Sequence, residues 1–296
     1  MYGTSRPKTL IGLSLRALRL RWAVAPVGCV ALLILAILVL FCLLFGARQG
    51  PTVATFNIEN FPRDRRQIVG AFNTIASLDA SVVAVQEIRD PEVFRRSARA
   101  RLGESWRFVT NARGPEQRVG VLFDTNRFAF SYARDHAQTQ IDGRGKPVLE
   151  VRLRPLEGGR ALRVFVLHLK AGGDFAHVRR EQLRQLEPVL AEATESWDDI
   201  VVLGDFNATG DQDREVIDRL SNRLGLHWAT RGLRCTSYWA RRDGCLGSAL
   251  DHVLTRRLPE EAAARGPCET IGCSPGDRCP AFHREVSDHC PVTVRF

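Results

Sequence analysis

Six apolar runs in this chain stop at a polar side chain, and that repeated break constrains the fold more than any other feature. Val53-Ala54-Thr55-Phe56 ends at Asn57, and Val82-Val83-Ala84-Val85-Gln86 ends at Glu87. Val164-Phe165-Val166-Leu167 ends at His168, and Val201-Val202-Leu203-Gly204 ends at Asp205, with Asn207 close behind. Asp251 sits inside Leu250-Asp251-His252-Val253-Leu254, and Asp288-His289 precedes the final apolar run. Short runs of this kind read as buried strands. Strands are expected at Thr52–Ile58, Ser81–Gln86, Arg107–Thr110, Val119–Phe123, Val148–Leu153, Leu162–His168, Ile200–Leu203, Ala249–Leu254 and Val292–Phe296. Helical spacing lies between them. Arg65–Leu78 carries Ile68, Phe72 and Ile75 on one face, Pro91–Leu102 follows, and Phe175–Glu192 carries Leu183, Leu186 and Leu190, with a kink expected at Pro188. Sheets packed under helices make the class α/β. Rigid strand ends meeting variable loops are where such sheets place ligands.

The N-terminus is different. From Trp22 to Ala47 no residue is charged. As a helix this run would be roughly 39 Å long, enough to cross a hydrocarbon core of about 30 Å with some tilt. A cleaved signal peptide is the competing reading, but the run exceeds a signal h-region and lacks the small-residue pair of a cleavage site. A buried soluble helix is a third reading, against which the run shows no amphipathic face. The expected organisation is a basic cytoplasmic segment 1–21, a transmembrane anchor 22–47, a linker 48–51 and a folded domain 52–296. Five Lys or Arg precede the run and only Arg48 follows it closely, which places the N-terminus in the cytoplasm and the domain in the periplasm or outside the cell. The net charge of +9 shrinks accordingly. Residues 1–50 hold six Lys/Arg and no Asp or Glu, which leaves +3 for the rest, so charge alone says little about a nucleic-acid substrate.

Cysteine usage agrees with an oxidising compartment. Cys235, Cys245, Cys268, Cys273, Cys279 and Cys290 crowd the C-terminal third and read as a disulfide framework. A zinc site is the alternative, without the paired C-x-x-C spacing that would favour it.

The segments "TFNIEN" (55–60), "VQEI" (85–88), "LHLKAGG" (167–173), "GDFNA" (204–208), "LDHVL" (250–254) and "SDHCP" (287–291) together resemble the endonuclease/exonuclease/phosphatase superfamily, and "FNIENF" is similar to secreted bacterial nucleases of that DNase I-like fold. The resemblance covers about residues 52–296. It implies a four-layer α/β sandwich and a metal-dependent phosphoric ester hydrolase, with Mg2+ expected and Mn2+ or Ca2+ as alternatives. It assigns Glu87 as metal ligand, with Asp288 and Asn57 beside it, and His289 as general base or phosphate contact oriented by Asp251. Asp205 would position or activate the water. Asn207 would donate to a phosphate oxygen, and His168 would be a second acid or phosphate ligand, with Asn57 also near the phosphate. A nucleic acid, DNA first, is the expected substrate, and no protein partner is predicted. The alternatives are a sphingomyelinase-like or phosphomonoester hydrolase of the same fold, and a non-catalytic binding module.

Several residues carry a plainer reading. Asp251 and His252 are strand neighbours and must face opposite sides, which leaves His252 as a structural or surface residue. Lys170 and Arg118 read first as solvated charge and second as phosphate contacts. Arg95, Arg96, Arg99 and Arg101 read as a wet helix face rather than a DNA track. Trp106, Trp197, Trp228 and Trp239 read as packing residues. No exposed aromatic hairpin able to enter a bilayer is recognised.

Overall fold

The computed structural model describes residues 50–112, 116–142 and 145–296. The expected segments 1–21 and 22–47, with the first half of the linker, lie outside them. Among the described residues no helix is long and apolar enough to cross a membrane. In chain order the elements begin β1 (Thr52–Phe61), α1 (Arg65–Ser77), β2 (Val82–Ile88), α2 (Pro91–Leu102), β3 (Trp106–Thr110), β4 (Arg118–Asp124), β5 (Phe128–His136), β6 (Val148–Pro155) and β7 (Leu162–His168). They continue α3 (Ala176–Glu195), β8 (Asp199–Asp205), α4 (Asp211–Leu224), β9 (His227–Trp228), β10 (Ser237–Arg241), β11 (Gly244–Ser248), β12 (Asp251–Thr255), β13 (Glu261–Ala264), α5 (Pro267–Thr270), α6 (Ala281–Glu285) and β14 (Val292–Arg295).

Two six-stranded sheets stack face to face, in the orders β13-β14-β1-β2-β4-β3 and β5-β6-β7-β8-β12-β9. Both are mixed: β1 runs parallel to β2 and β7 parallel to β8, while the remaining neighbours are antiparallel. Strand periodicity explains the layers. Along β1, Val53 faces the other sheet while Ala54, Phe56 and Ile58 face α1 and α2. Along β8, Val201 and Leu203 face the central core while Ile200 and Val202 face α3 and α4. The order is therefore helix, sheet, sheet, helix. The inner strands β1, β2, β4, β7, β8 and β12 are buried on both faces, which is why so many runs are apolar without alternation. Under α1 and α2 the rings of Phe61, Phe72, Phe94 and Phe108 form a chain of contacts with centroids 4.4 to 6.0 Å apart. Each such buried ring stabilises the layer by about 1.5–3 kcal/mol.

Local signals set the helix starts. The Asp64 carboxylate accepts from Gln67 N at 2.8 Å to cap α1. Asp90 accepts from Glu92 N and Val93 N to cap α2, whose first turn holds Pro91. The kink expected at Pro188 does not end α3, which continues to Glu195.

Candidate active site

The catalytic-type side chains are the polar ends of the inward-facing rows. On β7 the row Leu162, Val164, Val166 continues to His168; on β8 Val201, Leu203 continues to Asp205; on β12 Val253 is preceded by Asp251. On β1 Val53 and Thr55 lead to Asn57. Register aligns these ends. His168 lies opposite Asp205 and Asp205 opposite Asp251, while Asn57 lies opposite Gln86. A single row of pleats thus changes from hydrocarbon to carboxylate, imidazole and amide at one end of the sandwich. Asn57, His168, Asp205, Asp251 and His289 are all buried.

Glu87 joins them by leaving the pleat. Strand parity would turn it outward, after Val83 and Val85. Its φ of +63° and the register shift beyond Gln86 turn it aside instead. Glu59, Asn60 and Asn207 also have positive φ. Such non-glycine strain costs on the order of 1–3 kcal/mol per residue and gathers at functional sites. Gly204 fits another demand. It has φ +141°, and a Cβ there would lie 2.0 Å from the Leu167 carbonyl oxygen on the parallel neighbour.

Distances define two groups that share Asp205. Asn57 Nδ2 donates to Glu87 Oε1 at 3.3 Å and to Asp205 Oδ2 at 3.1 Å. Glu87 Oε2 accepts from Asn60 N and from Gln117 Nε2. In the second group the His289 Nδ1 and Asp251 Oδ2 atoms are 2.7 Å apart, and Thr236 Oγ1 donates to the same carboxylate oxygen at 2.7 Å. The far nitrogen, Nε2, of His289 then lies 3.8 Å from Asp205 Oδ2 and 4.0 Å from Asp288 Oδ1. His168 Nε2 stands 3.5 Å from Asp205 Oδ2 and 3.8 Å from Glu87 Oε1. Asn207 turns its amide to the Leu169 carbonyl and gives its backbone N–H to Asp205 Oδ1.

Burial and crowding set the charges. Burial, with Asp251 adding to it, pushes the Asp205 carboxyl up to about 7 against the pull of His289. Burial works against a charge on His289, but Asp251 and Asp205 outweigh it and hold the imidazole well above its usual range. Burial, then Lys146 and His289, keep His168 well below that range and hence neutral. This is a cleft with more carboxylate than its own cations balance.

The donor set fits a hard divalent cation. Glu87 and Asp205 converge on one point, now bridged by the Asn57 amide, and Asp251 Oδ1 is buried without a hydrogen-bond partner. Asp205, Asp251 and His289 can also offer ligand atoms within 4.8 Å of one another. Oxygen donors of this kind suit Mg2+.

The structure brings together all eight residues singled out in the sequence, with Asp288 at the half-exposed rim, where its backbone N–H donates to Glu59 Oε2. Sequence reading missed Glu59, Gln117, Lys146 and Thr236. Lys146 Nζ lies 3.5 Å from His168 Nε2. None of the four ends an apolar run, so no pattern announced them. Arg179 was missed as well. It is fully buried, pairs with Asp213 of α4, and donates to the Lys170 and Gly172 carbonyls and to Thr209 Oγ1, tying the loop after β7 to the loop after β8 and the start of α4. His252 is structural and not on the surface: it is buried beside Phe206 and Trp228, and burial lowers its imidazole to about 3. Two of the four tryptophans do not pack away, since Trp197 is 76% and Trp239 66% exposed. Trp239 stands on the β10–β11 hairpin, so an exposed aromatic hairpin exists after all. Its tip, Arg241-Arg242-Asp243, is charged and exposed. The six C-terminal cysteines form Cys235–Cys273, Cys245–Cys279 and Cys268–Cys290, which leaves no thiolate for zinc among the described residues.

Comparison with curated protein sequences gives no significant match. Solved structures do match. TDP2 of D. rerio, complexed with a single-strand DNA product, superposes with a TM-score of 0.62 at 15% identity, over 83% of this chain and 98% of that one. The human nocturnin catalytic domain with bound sulfate gives 0.63 at 17%, over 83% and 93%. A mannosyl-6-phosphatase of Bacteroides thetaiotaomicron gives 0.63 at 15%, over 83% and 98%. At these identities the likeness is one of fold. The sequence signature of the endonuclease/exonuclease/phosphatase family matches residues 54–289. This chain belongs to the endonuclease/exonuclease/phosphatase family.

Proposed function

We propose that this protein is a divalent-metal-dependent phosphodiester hydrolase that cleaves nucleic acid, DNA first, outside the cytoplasmic membrane, to which residues 22–47 tether it. One observation carries the reading: a His289–Asp251 pair, 2.7 Å apart, opens onto Asp205, with Glu87 and Asn57 on its far side. Glu87, with Asn57 and Asp288, would hold the metal, which supplies charge neutralisation at the phosphate. Asp251 fixes the tautomer of His289 and stabilises its protonated form. His289, held protonated, then contacts a phosphate oxygen from Nε2. Asp205, 3.8 Å from that nitrogen, orients the water. His168, kept neutral, donates to a phosphate oxygen without adding charge, and Asn207 holds Asp205 and the loop behind it in place. The outside location is supported by the three disulfides, which persist in oxidising compartments.

Full-length protein assayed against plasmid, oligonucleotide, bis(p-nitrophenyl) phosphate, sphingomyelin and sugar phosphates, with Mg2+, Mn2+, Ca2+ or EDTA, tests the reading. Nicking that needs a divalent ion and falls by about 10²–10⁴ in Asp251→Asn is expected. In Glu87→Gln, calorimetric Mg2+ titration is expected to show weakened binding. Hydrolysis of sphingomyelin or sugar phosphates alone would overturn the substrate, and full activity in EDTA would overturn the chemistry.

A further inference from the structure

The β10–β11 hairpin grows directly out of the candidate site. Ser237 bridges His289, Tyr238 N donates to the Asp288 carbonyl at 2.7 Å, and Cys290 N donates to the Thr236 carbonyl at 2.7 Å. Directly opposed residues share a face, so Ser237, Trp239 and Arg241 lie on the side of the ribbon that carries His289. Across the hairpin, Ser248 and Leu246 pair with Ser237 and Trp239 and belong to the same face. The other face is covered near its root. Tyr238 is buried there with its hydroxyl on the Gly272 carbonyl, and Cys245 is disulfide-bonded to Cys279. The open face presents Trp239 at 66% and Leu246 at 48% exposure, then Arg241. Arg241 meets Asp243 only at 3.9 Å, and Arg242 beside it is also exposed.

We propose that this face is a nucleotide subsite next to the scissile phosphate: Trp239 and Leu246 hold one unpaired base, and Arg241 contacts the phosphate beyond it. The inference rests on the nucleic-acid reading above and deepens it. Spacing supports the assignment. Trp239 lies about 7 Å, and Arg241 about 13 Å, along the strand from the residue opposite His289. Aromatic platforms followed by cations are how single strands are gripped without base-specific hydrogen bonds. The same face fits a bilayer poorly. The charged tip lies beyond the apolar pair, so Arg241, Arg242 and Asp243 would have to enter hydrocarbon before Trp239 could.

The test compares wild type, Trp239→Ser and Arg241→Gln in the full-length protein. Anisotropy of a fluorescein-labelled single-stranded oligodeoxynucleotide is read in EDTA, and kcat and KM are measured for that oligonucleotide and for bis(p-nitrophenyl) phosphate. Trp239→Ser is expected to weaken oligonucleotide binding and raise its KM about tenfold, the worth of one base–aromatic stack. Hydrolysis of the small diester should not change. Arg241→Gln should lower the salt slope of binding by about one. Oligonucleotide binding unchanged in Trp239→Ser would overturn the subsite, as would binding to phosphatidylglycerol vesicles that Trp239→Ser abolishes while oligonucleotide binding stays intact. Failure of wild type to hydrolyse either diester would instead sink the phosphodiesterase reading, while the anisotropy still decides the subsite.

Discussion

Single residues show how little freedom the site leaves. Gly204 lies opposite Leu167 on β7, and a Cβ there would come within 2.0 Å of the Leu167 carbonyl oxygen. Gly204→Ala is expected to destabilise the protein by about 3 kcal/mol or more, because the φ of +141° and the backbone contact both oppose a Cβ. A melting midpoint equal to wild type would contradict this. Parity made some residues legible in advance. Asp251 and His252 alternate on β12, and the structure sends Asp251 to the cleft and His252 to the outer core. Glu87 was legible only as the polar end of a run. Its left-handed turn, which brings it to Asn57, depends on a break in the β1–β2 ladder that no side-chain pattern encodes.

At the scale of elements, a run was legible when both its faces were buried. β1, β2, β7 and β8 were visible for that reason. β5 was not, because it is a sheet edge buried only at its two ends, with four polar or charged residues in Ser131, Arg134, Asp135 and His136. α4 was hidden by charge, since only Asp213, Ile217, Leu220 and Ser221 of its fourteen residues are buried. β6 carries a less visible liability. Glu150 is fully buried and accepts from Tyr132 at 2.7 Å and Arg163 at 2.7 Å, with His136 Nε2 at 3.0 Å. Burial alone would raise its carboxyl, but these partners hold it down at about 2. Since the folded group titrates below its ordinary 4.5, its stabilisation is complete above that pH and is lost as pH falls from 4.5 towards 2. Glu150→Gln should cost about 3–5 kcal/mol at pH 7, because Arg163 is left buried without its partner. The gap between variant and wild type in denaturant titrations should close over that acid window; a gap independent of pH would refute the assignment.

For the whole molecule, the disulfides gather around one functional pair. Cys235 precedes Thr236, which donates to Asp251, and Cys290 follows His289. Cys268→Ala with Cys290→Ala is expected to cost about 2–5 kcal/mol and to lower activity. The equivalent change at Cys245 and Cys279, nearer the hairpin tip, should spare small-diester hydrolysis. Equal activity losses in the two double variants would show that the bonds stabilise without positioning. Ordering of strands has a further consequence, for synthesis. β14 lies between β13 and β1, pairing Val292 with Thr55 and Arg295 with Thr52. Until those residues are made, β1 lacks one neighbour and His289 has no anchor beside Asp251. Chain closure of this span is among the slowest contacts a fold can make. The cleft thus cannot assemble before β14 has been made and has docked against β1, and any hydrolytic activity waits on that strand.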